Sequence, residues 1–361
     1  MLLSDILNQN IVIPALLLIV TAGCSDNSTG SQGIDYDASE MLQNESHNVI
    51  VQTYLDLDKN ARNLVSAVKT LQENPTKDNL DTAQNQWRNT REPWESSEAF
   101  LIGPVEDEQI DPHIDTWPLN NTDLDNVMNS HDELTEDYVA NLQNNLKGFH
   151  TIEYLLFGSS NDKMIDDFTP RQFDYLVAAA KCLKNNTDHL VTIWQSGGGG
   201  YNNPYVNALA NAGNGSNIYT SSKKALETLI SGMEGIADEV GNSKINDPYS
   251  QKDTSKVESQ FSFNSKTDFQ NNLRSIVHIY TGNYKDSSGP GVSNFVTQFD
   301  SDLDTRFKNE LNDAITAIGN INGNFRTAIT KHRSSVADAQ QSVRTVLSTI
   351  QEDIKPLLND Y

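Results

Sequence analysis

The stretch Leu303-Asp304-Thr305-Arg306-Phe307-Lys308-Asn309-Glu310-Leu311-Asn312-Asp313-Ala314-Ile315-Thr316-Ala317-Ile318 returns to a large apolar residue at Leu303, Phe307, Leu311, Ile315 and Ile318, in steps of four and three. Because an α-helix turns once in 3.6 residues, those positions form a single stripe along one face. A second stripe follows at Val336, Ala339, Val343, Val346, Ile350 and Ile354, and a third lies near the other end at Ile50, Tyr54, Leu57, Ala61, Leu64, Val68 and Leu71. The third reads as a long helix ending near Asn74-Pro75. Thr76 then reads as the cap of a helix carrying Leu80, Ala83 and Trp87, with Pro93 marking its end. Further helical patterns run through residues 124–146, 173–194, 222–240 and 268–280. Alternating runs of Val, Ile and Tyr are almost absent, so the fold class is all-α: antiparallel helices assembled into bundles.

A break falls at Ser196-Gly197-Gly198-Gly199-Gly200 and continues in Asn- and Gly-rich text to about Asn217. It divides the chain into an N-terminal helical bundle, 36–196, a linker or loop, 197–217, and a C-terminal bundle, 218–361. At the start, the apolar run Ile11 to Val20 precedes Thr21-Ala22-Gly23-Cys24 and a polar Ser/Asn/Gly tract. That order reads as a bacterial lipoprotein signal over 1–23, with Cys24 as the lipidated residue and 24–35 as a flexible tether. The expected location is the cell envelope, held to a membrane by lipid, with Ser25 after Cys24 favouring the outer membrane or cell surface. The other cysteine, Cys182, sits in an apolar run and reads as a buried small hydrophobe, so thiolate zinc chemistry is excluded. The 361 residues carry a formal net charge of −23. Phosphate backbones would be repelled, which excludes a nucleic-acid partner, whereas a soluble exported domain and cations suit that surface.

Within the apolar run Gly148-Phe149-His150-Thr151-Ile152-Glu153-Tyr154-Leu155-Leu156-Phe157-Gly158, one imidazole and one carboxylate stand three residues apart. On a helix such positions share a face at about 5–6 Å, where the pair can hold a metal ion or a proton. An apolar setting makes either group costly to leave alone, so a third group or an ion is expected beside them. Upstream, the Pro-interrupted segment from Trp87 to Leu119 offers Glu98, Asp111, His113 and Asp115 as oxygen and imidazole ligands, while Arg91 and Glu95 read as an ion pair at helical spacing. Glu98 and Asp115 are the candidates to complete a site begun by His150 and Glu153. A mixed N/O set of this kind suits iron, zinc or manganese. Further along, Ser262, Asn264, Asp268 and Asn271 can line a cleft or cap the start of a helix. No His-Glu-x-x-His helix, Gly-x-Ser-x-Gly elbow or phosphate-cradling loop is present in the sequence.

Gly148-x-His150-x-x-Glu153 with its Tyr-Leu-Leu-Phe-Gly continuation resembles the signature of the imelysin-like family, bacterial envelope proteins also classed as M75 peptidases and linked to iron uptake. The resemblance extends to Arg91-x-Pro93-x-x-x-Ser97-Glu98-Ala99-Phe100, the Gly103-Pro104 turn, Asp115-x-Trp117-Pro118-Leu119, the 258–273 block and the Gly289-Pro290-Gly291-Val292 turn. It implies two helical domains packed into one body with the signature near their junction. It also implies that Arg91, Ser97 and Trp117 belong to the cleft. The function implied is the binding of a metal ion, iron first and zinc second, or of a small iron-containing ligand, alongside envelope iron-transport partners. Two alternatives remain. A metallopeptidase would need a free carboxylate base besides its ligands, and His150 with Glu153 supply at most two ligands. A haem-, siderophore- or partner-binding lipoprotein would need aromatic walls, for which Trp94, Phe100, Trp117, Phe149 and Tyr154 are available.

Overall fold

The computed structural model describes residues 36–361. The signal, the tether and Cys24 lie outside the described residues. Eight longer helices carry the architecture: α1 (Val51–Glu73), α2 (Lys77–Glu95), α3 (Gly148–Phe157), α4 (Pro170–Ser196), α5 (Ser222–Glu239), α6 (Ser265–Thr281), α7 (Ser301–Gly319) and α8 (Arg333–Thr349). The short strands β1 (Asn283–Tyr284) and β2 (Ser287–Ser288) pair antiparallel in a hairpin. No described helix is long and apolar enough to cross a membrane.

The apolar stripes explain the packing. Every residue of the 50–71 stripe is essentially inaccessible, and it faces both α2 and α4. In the other half, α7 lies between α6 and α8, while α5 packs on α6 and α8. The halves meet where α6 lies against α2 and where the turn Glu98–Phe100 lies against α5 and α6. Buried apolar side chains from both halves join in one cluster, and the described residues, 36–361, belong to one compact unit.

Three local features depart from the periodicity. Residues 124–146 do not make one helix but short pieces, Asn121–Asn129, Glu136–Ala140 and Asn144–Leu146. Ser130 turns extended after the first, and the Thr135 hydroxyl accepts the Tyr138 N–H to start the next. Pro93 does not end α2, which runs on to Glu95. Proline has no N–H for the Asn89 carbonyl, and the Asn60 side chain supplies the missing donor at 2.8 Å. The Gly-rich stretch carries a short helix, Val206–Ala210, with Leu209 fully buried.

Candidate metal centre

Gly148 places the signature. Its φ is +75°, and a Cβ there would lie 2.2 Å from the Ile114 carbonyl oxygen, so only glycine lets α3 start against the segment that ends at Asp115. His150 consequently sits between two carboxylates, with Nδ1 3.3 Å from Glu153 Oε2 and Nε2 3.2 Å from Asp115 Oδ1. The second contact lacks hydrogen-bond alignment, and Nε2 has no hydrogen-bond partner. Glu153 is otherwise saturated. Its Oε1 accepts the N–H groups of Phe261 and Ser262 at 3.0 and 2.8 Å and the Ser262 hydroxyl at 2.7 Å.

Beneath this pair lies Arg91, which is completely buried and forms the hub of the centre. It pairs with Asp115, with Glu95 at 2.5 Å and with Glu258 at 2.6 Å, while Asp268 lies 3.9 Å from its Nε. Trp94 Nε1–H donates to Asp115 Oδ2 at 2.6 Å, and the Phe149 ring lies under the guanidinium. On the far side Lys244 stands 3.2 Å from Glu258, 3.8 Å from Glu95 and 3.9 Å from Glu98. Asn264 donates to Asp268 at 2.7 Å and Asn272 to Glu95 at 2.5 Å.

Six buried carboxyl groups (Glu95, Glu98, Asp115, Glu153, Glu258 and Asp268) thus face the Arg91 guanidinium, the Lys244 ammonium and one imidazole, with the Arg88 guanidinium acting on Glu153 and Asp268 from the side. The imbalance shows in their proton affinities. Burial drives Glu95 up to about 8 despite Arg91 and Lys244, drives Asp268 up to about 6, and holds Glu98 well above the carboxylate range. Burial would also raise Asp115, but Arg91 and His150 overcome it and hold this carboxyl below the usual range. Burial would lower His150, yet Asp115 and Glu153 bring it up to about 9. Several buried polar atoms have no hydrogen bond: His150 Nε2, Asp268 Oδ2, Asn272 Oδ1 and Ser259 Oγ, while Glu95 Oε1 and Glu258 Oε2 stand only in their ion pairs with Arg91 and Lys244. Buried polar atoms are rarely left so, and here they converge on one place.

A mixed oxygen and imidazole donor set with excess negative charge and unpartnered ligand atoms fits a divalent cation. His150, Asp115 and Glu258 each offer a ligand atom within 4.8 Å of one another, as do Glu95, Glu98 and Asp115. Glu98 also lines an open groove of about 1220 Å³ with Glu239, Glu106, Asp107, Tyr201 and Tyr205, so the cluster is reached from outside at Glu98.

Of the residues singled out in the sequence, His150, Glu153, Asp115, Glu98, Arg91, Ser262, Asn264 and Asp268 are brought together. Asn271 accepts from Arg274 at 2.6 Å with its amide nitrogen unpartnered. Ser97 instead donates to the Trp94 carbonyl at 2.6 Å and closes the end of α2. Trp117 lines a separate small hollow with Asn120 and Asn145. Trp94, Phe100 and Phe149 are fully buried core, and the aromatic wall of the groove is built from Tyr201, Tyr205 and Tyr219. Lys244 and Glu258 carry no such expectation in the sequence, Asn272 joins the site beside Asp268, and Glu95, read as one half of a helical ion pair, is part of the cluster.

The chain is 28% identical over 360 residues to iron-regulated protein A of Synechococcus elongatus, covering 98% of this chain and 97% of that one. A candidate iron-regulated protein A precursor from Parabacteroides distasonis superposes with a TM-score of 0.79 at 25% identity, covering 90% of this chain and 96% of its own. An imelysin-like protein from Psychrobacter arcticum shares the fold, with a TM-score of 0.72 at 14% identity over 91% and 98% of the two chains. The family description imelysin, peptidase M75, matches residues 50–350, and the chain belongs to the imelysin family.

Proposed function

We propose that this protein binds a metal ion, iron before zinc, in the buried cluster between its helical halves and serves iron acquisition from a lipid anchor at Cys24 in the cell envelope. The observation that carries the reading is His150 Nε2, buried, without a hydrogen bond and 3.2 Å from Asp115 Oδ1, in a pocket with more carboxylates than cations. The names of the relatives from Synechococcus elongatus and Parabacteroides distasonis support iron as the ion. Asp115, His150 and Glu258 would hold it. Glu153, saturated by Phe261 and Ser262, acts one step back, taking the His150 Nδ1–H and turning Nε2 toward the ion. Metal binding then releases the proton that His150 holds in the metal-free protein.

Peptide hydrolysis is less well supported. It needs a carboxylate free to activate water; Glu95, Asp115 and Glu258 are all engaged by Arg91, and burial holds Glu98, the one that opens onto the groove, well above the carboxylate range and so protonated.

The test is a calorimetric titration of the metal-stripped protein with Fe(II), under anaerobic conditions, and with Zn(II), run beside His150→Ala and Glu258→Gln. Saturable binding in the parent that is lost in both variants is the expected outcome, and indistinguishable traces would sink the reading. The anchor is tested separately by Cys24→Ser, which is expected to move the protein from the membrane to the soluble fraction of bacterial cells.

A further inference from the structure

The groove of about 1220 Å³ that meets the cluster at Glu98 runs along the outer face of α5, and its carboxylates stand at its two ends. Glu227 and Glu239 both line it and are about 18 Å apart along the helix axis, at about 1.5 Å per residue. Glu98 lies at the Glu239 end, where the two carboxyl groups stand 3.9 and 3.7 Å from the Lys244 ammonium. At the Glu227 end, Glu106 and Asp107 act on the Tyr219 phenol, which neighbours Thr228, and Asp107 accepts the Tyr201 hydroxyl. Between the ends the lining is Leu101, Ile102, Ser231, Gly235 and Ile236. The two lysines of the groove are already taken, Lys224 by Glu227 at 3.5 Å and Lys355 by Glu234.

Two further observations ask for an occupant. The Glu98 side chain is 7% exposed and makes no hydrogen bond; Lys244 approaches only its Oε1, at a distance too long for one, which leaves Oε2 for the groove. Ile218, one of two large hydrophobic side chains that stand exposed among the described residues, is on this groove as well. A compact cation would satisfy one end and leave the apolar middle wet. Acidic ends joined by an uncharged, partly apolar stretch match a flexible chain with ammonium groups at both ends and methylenes between them, as a lysine stem lies on apolar surface while its head stays polar. The Tyr201 ring adds an aromatic face for one of the ammonium groups. Glu98, protonated in the empty groove, offers its carbonyl oxygen to the other.

We propose that the groove is a binding site for a linear aliphatic polyamine, one terminal ammonium at Glu98 and Glu239 and the other at Glu106, Asp107 and Glu227. The site stands whether or not a metal binds in the cluster.

Spermine, a tetra-amine long enough to reach both ends, is the probe, titrated calorimetrically into the full chain at low salt beside putrescine, which reaches one. Spermine is expected to saturate at one per chain and to bind about a hundredfold more tightly than putrescine, because its second end binds intramolecularly. Glu239→Gln and Glu106→Gln, one at each end, are each expected to bring spermine most of the way to the affinity of putrescine. Gly235→Leu is expected to abolish spermine binding and keep the fold, since a Cβ at Gly235 meets nothing within 4 Å and leucine favours the helix while filling the groove. Hexaamminecobalt(III), compact and triply charged, gauges attraction to the acidic surface alone. Cobalt binding as tight as spermine binding, or a Gly235→Leu protein that binds spermine like the parent, would overturn the polyamine site. Equal affinities for spermine and putrescine would overturn the two-ended arrangement. A lysine-rich peptide that binds where spermine does not would overturn the polyamine in favour of a protein partner.

Discussion

Arg91 compensates charge for both halves of the molecule. Its guanidinium is buried against carboxylates from α2, from the segment before α3 and from the turn before α6. Removing one member of a buried ion network leaves the others uncompensated, at a cost of about 3–5 kcal/mol. Arg91→Met is therefore expected to lower the stability of the metal-free protein by about that amount in urea titrations. A loss below about 1 kcal/mol would show that the carboxylates rearrange or protonate without it. Glu45 presents the opposite case. It is fully buried, neither oxygen has a hydrogen bond, and burial holds its carboxyl well above 4.5. A carboxyl raised in the folded state supports the fold fully below pH 4.5 and costs stability as pH rises toward its folded value. Glu45→Gln should therefore match the parent near pH 4 and exceed it at pH 8, by about 1–3 kcal/mol. Equal stabilities at both pH values would show that the group has a partner in solution.

At the scale of elements, most helices were legible because their cores are stripes. The 50–71 and 303–318 patterns predicted α1 and α7 within a few residues. The 124–146 pattern failed because capping at Thr135 outweighed weak apolar periodicity. The site was half legible. His150 and Glu153 stand out as charges inside an apolar run, whereas Arg91, Glu95 and Lys244 were open to a solvent-facing reading. Their positions carried a signal all the same: Arg91 lies four residues past Trp87, Glu95 four past Arg91, and Lys244 four past Val240, all on apolar stripes. A charged residue on a stripe is buried, and so it needs partners. Glu258 gave no comparable signal, since it precedes α6 in a turn and its partners come from elements far away in sequence. The close seating of α3 gives a test at this scale. Gly148→Ala must shift α3 away from Ile114, carrying His150 from Asp115, and strain of about 1–3 kcal/mol is expected along with the loss of metal binding. Full binding in a Gly148→Ala protein would show that the Asp115–His150 contact is dispensable.

For the molecule as a whole, the shared core and the shared ion network predict that the halves unfold together. All four tryptophans, at 87, 94, 117 and 194, lie in the first half, so their fluorescence reports that half while far-ultraviolet circular dichroism reports both. The two melting curves are expected to coincide and to shift upward together with bound metal. An earlier fluorescence transition would show that the first half unfolds alone.

The groove beside Glu98 also bears on the speed of capture. Glu106, Asp107, Glu227 and Glu239 line it, opposed by Lys224 and Lys355, and the chain as a whole is strongly acidic. Such a field concentrates cations at the entrance and speeds their arrival, and salt screens it. An ion held as proposed by Asp115, His150 and Glu258 would be largely shielded from that screening. On the proposed function, raising ionic strength should therefore slow uptake of the ion while leaving release nearly untouched, so that capture is fastest in dilute surroundings and retention equal in concentrated ones.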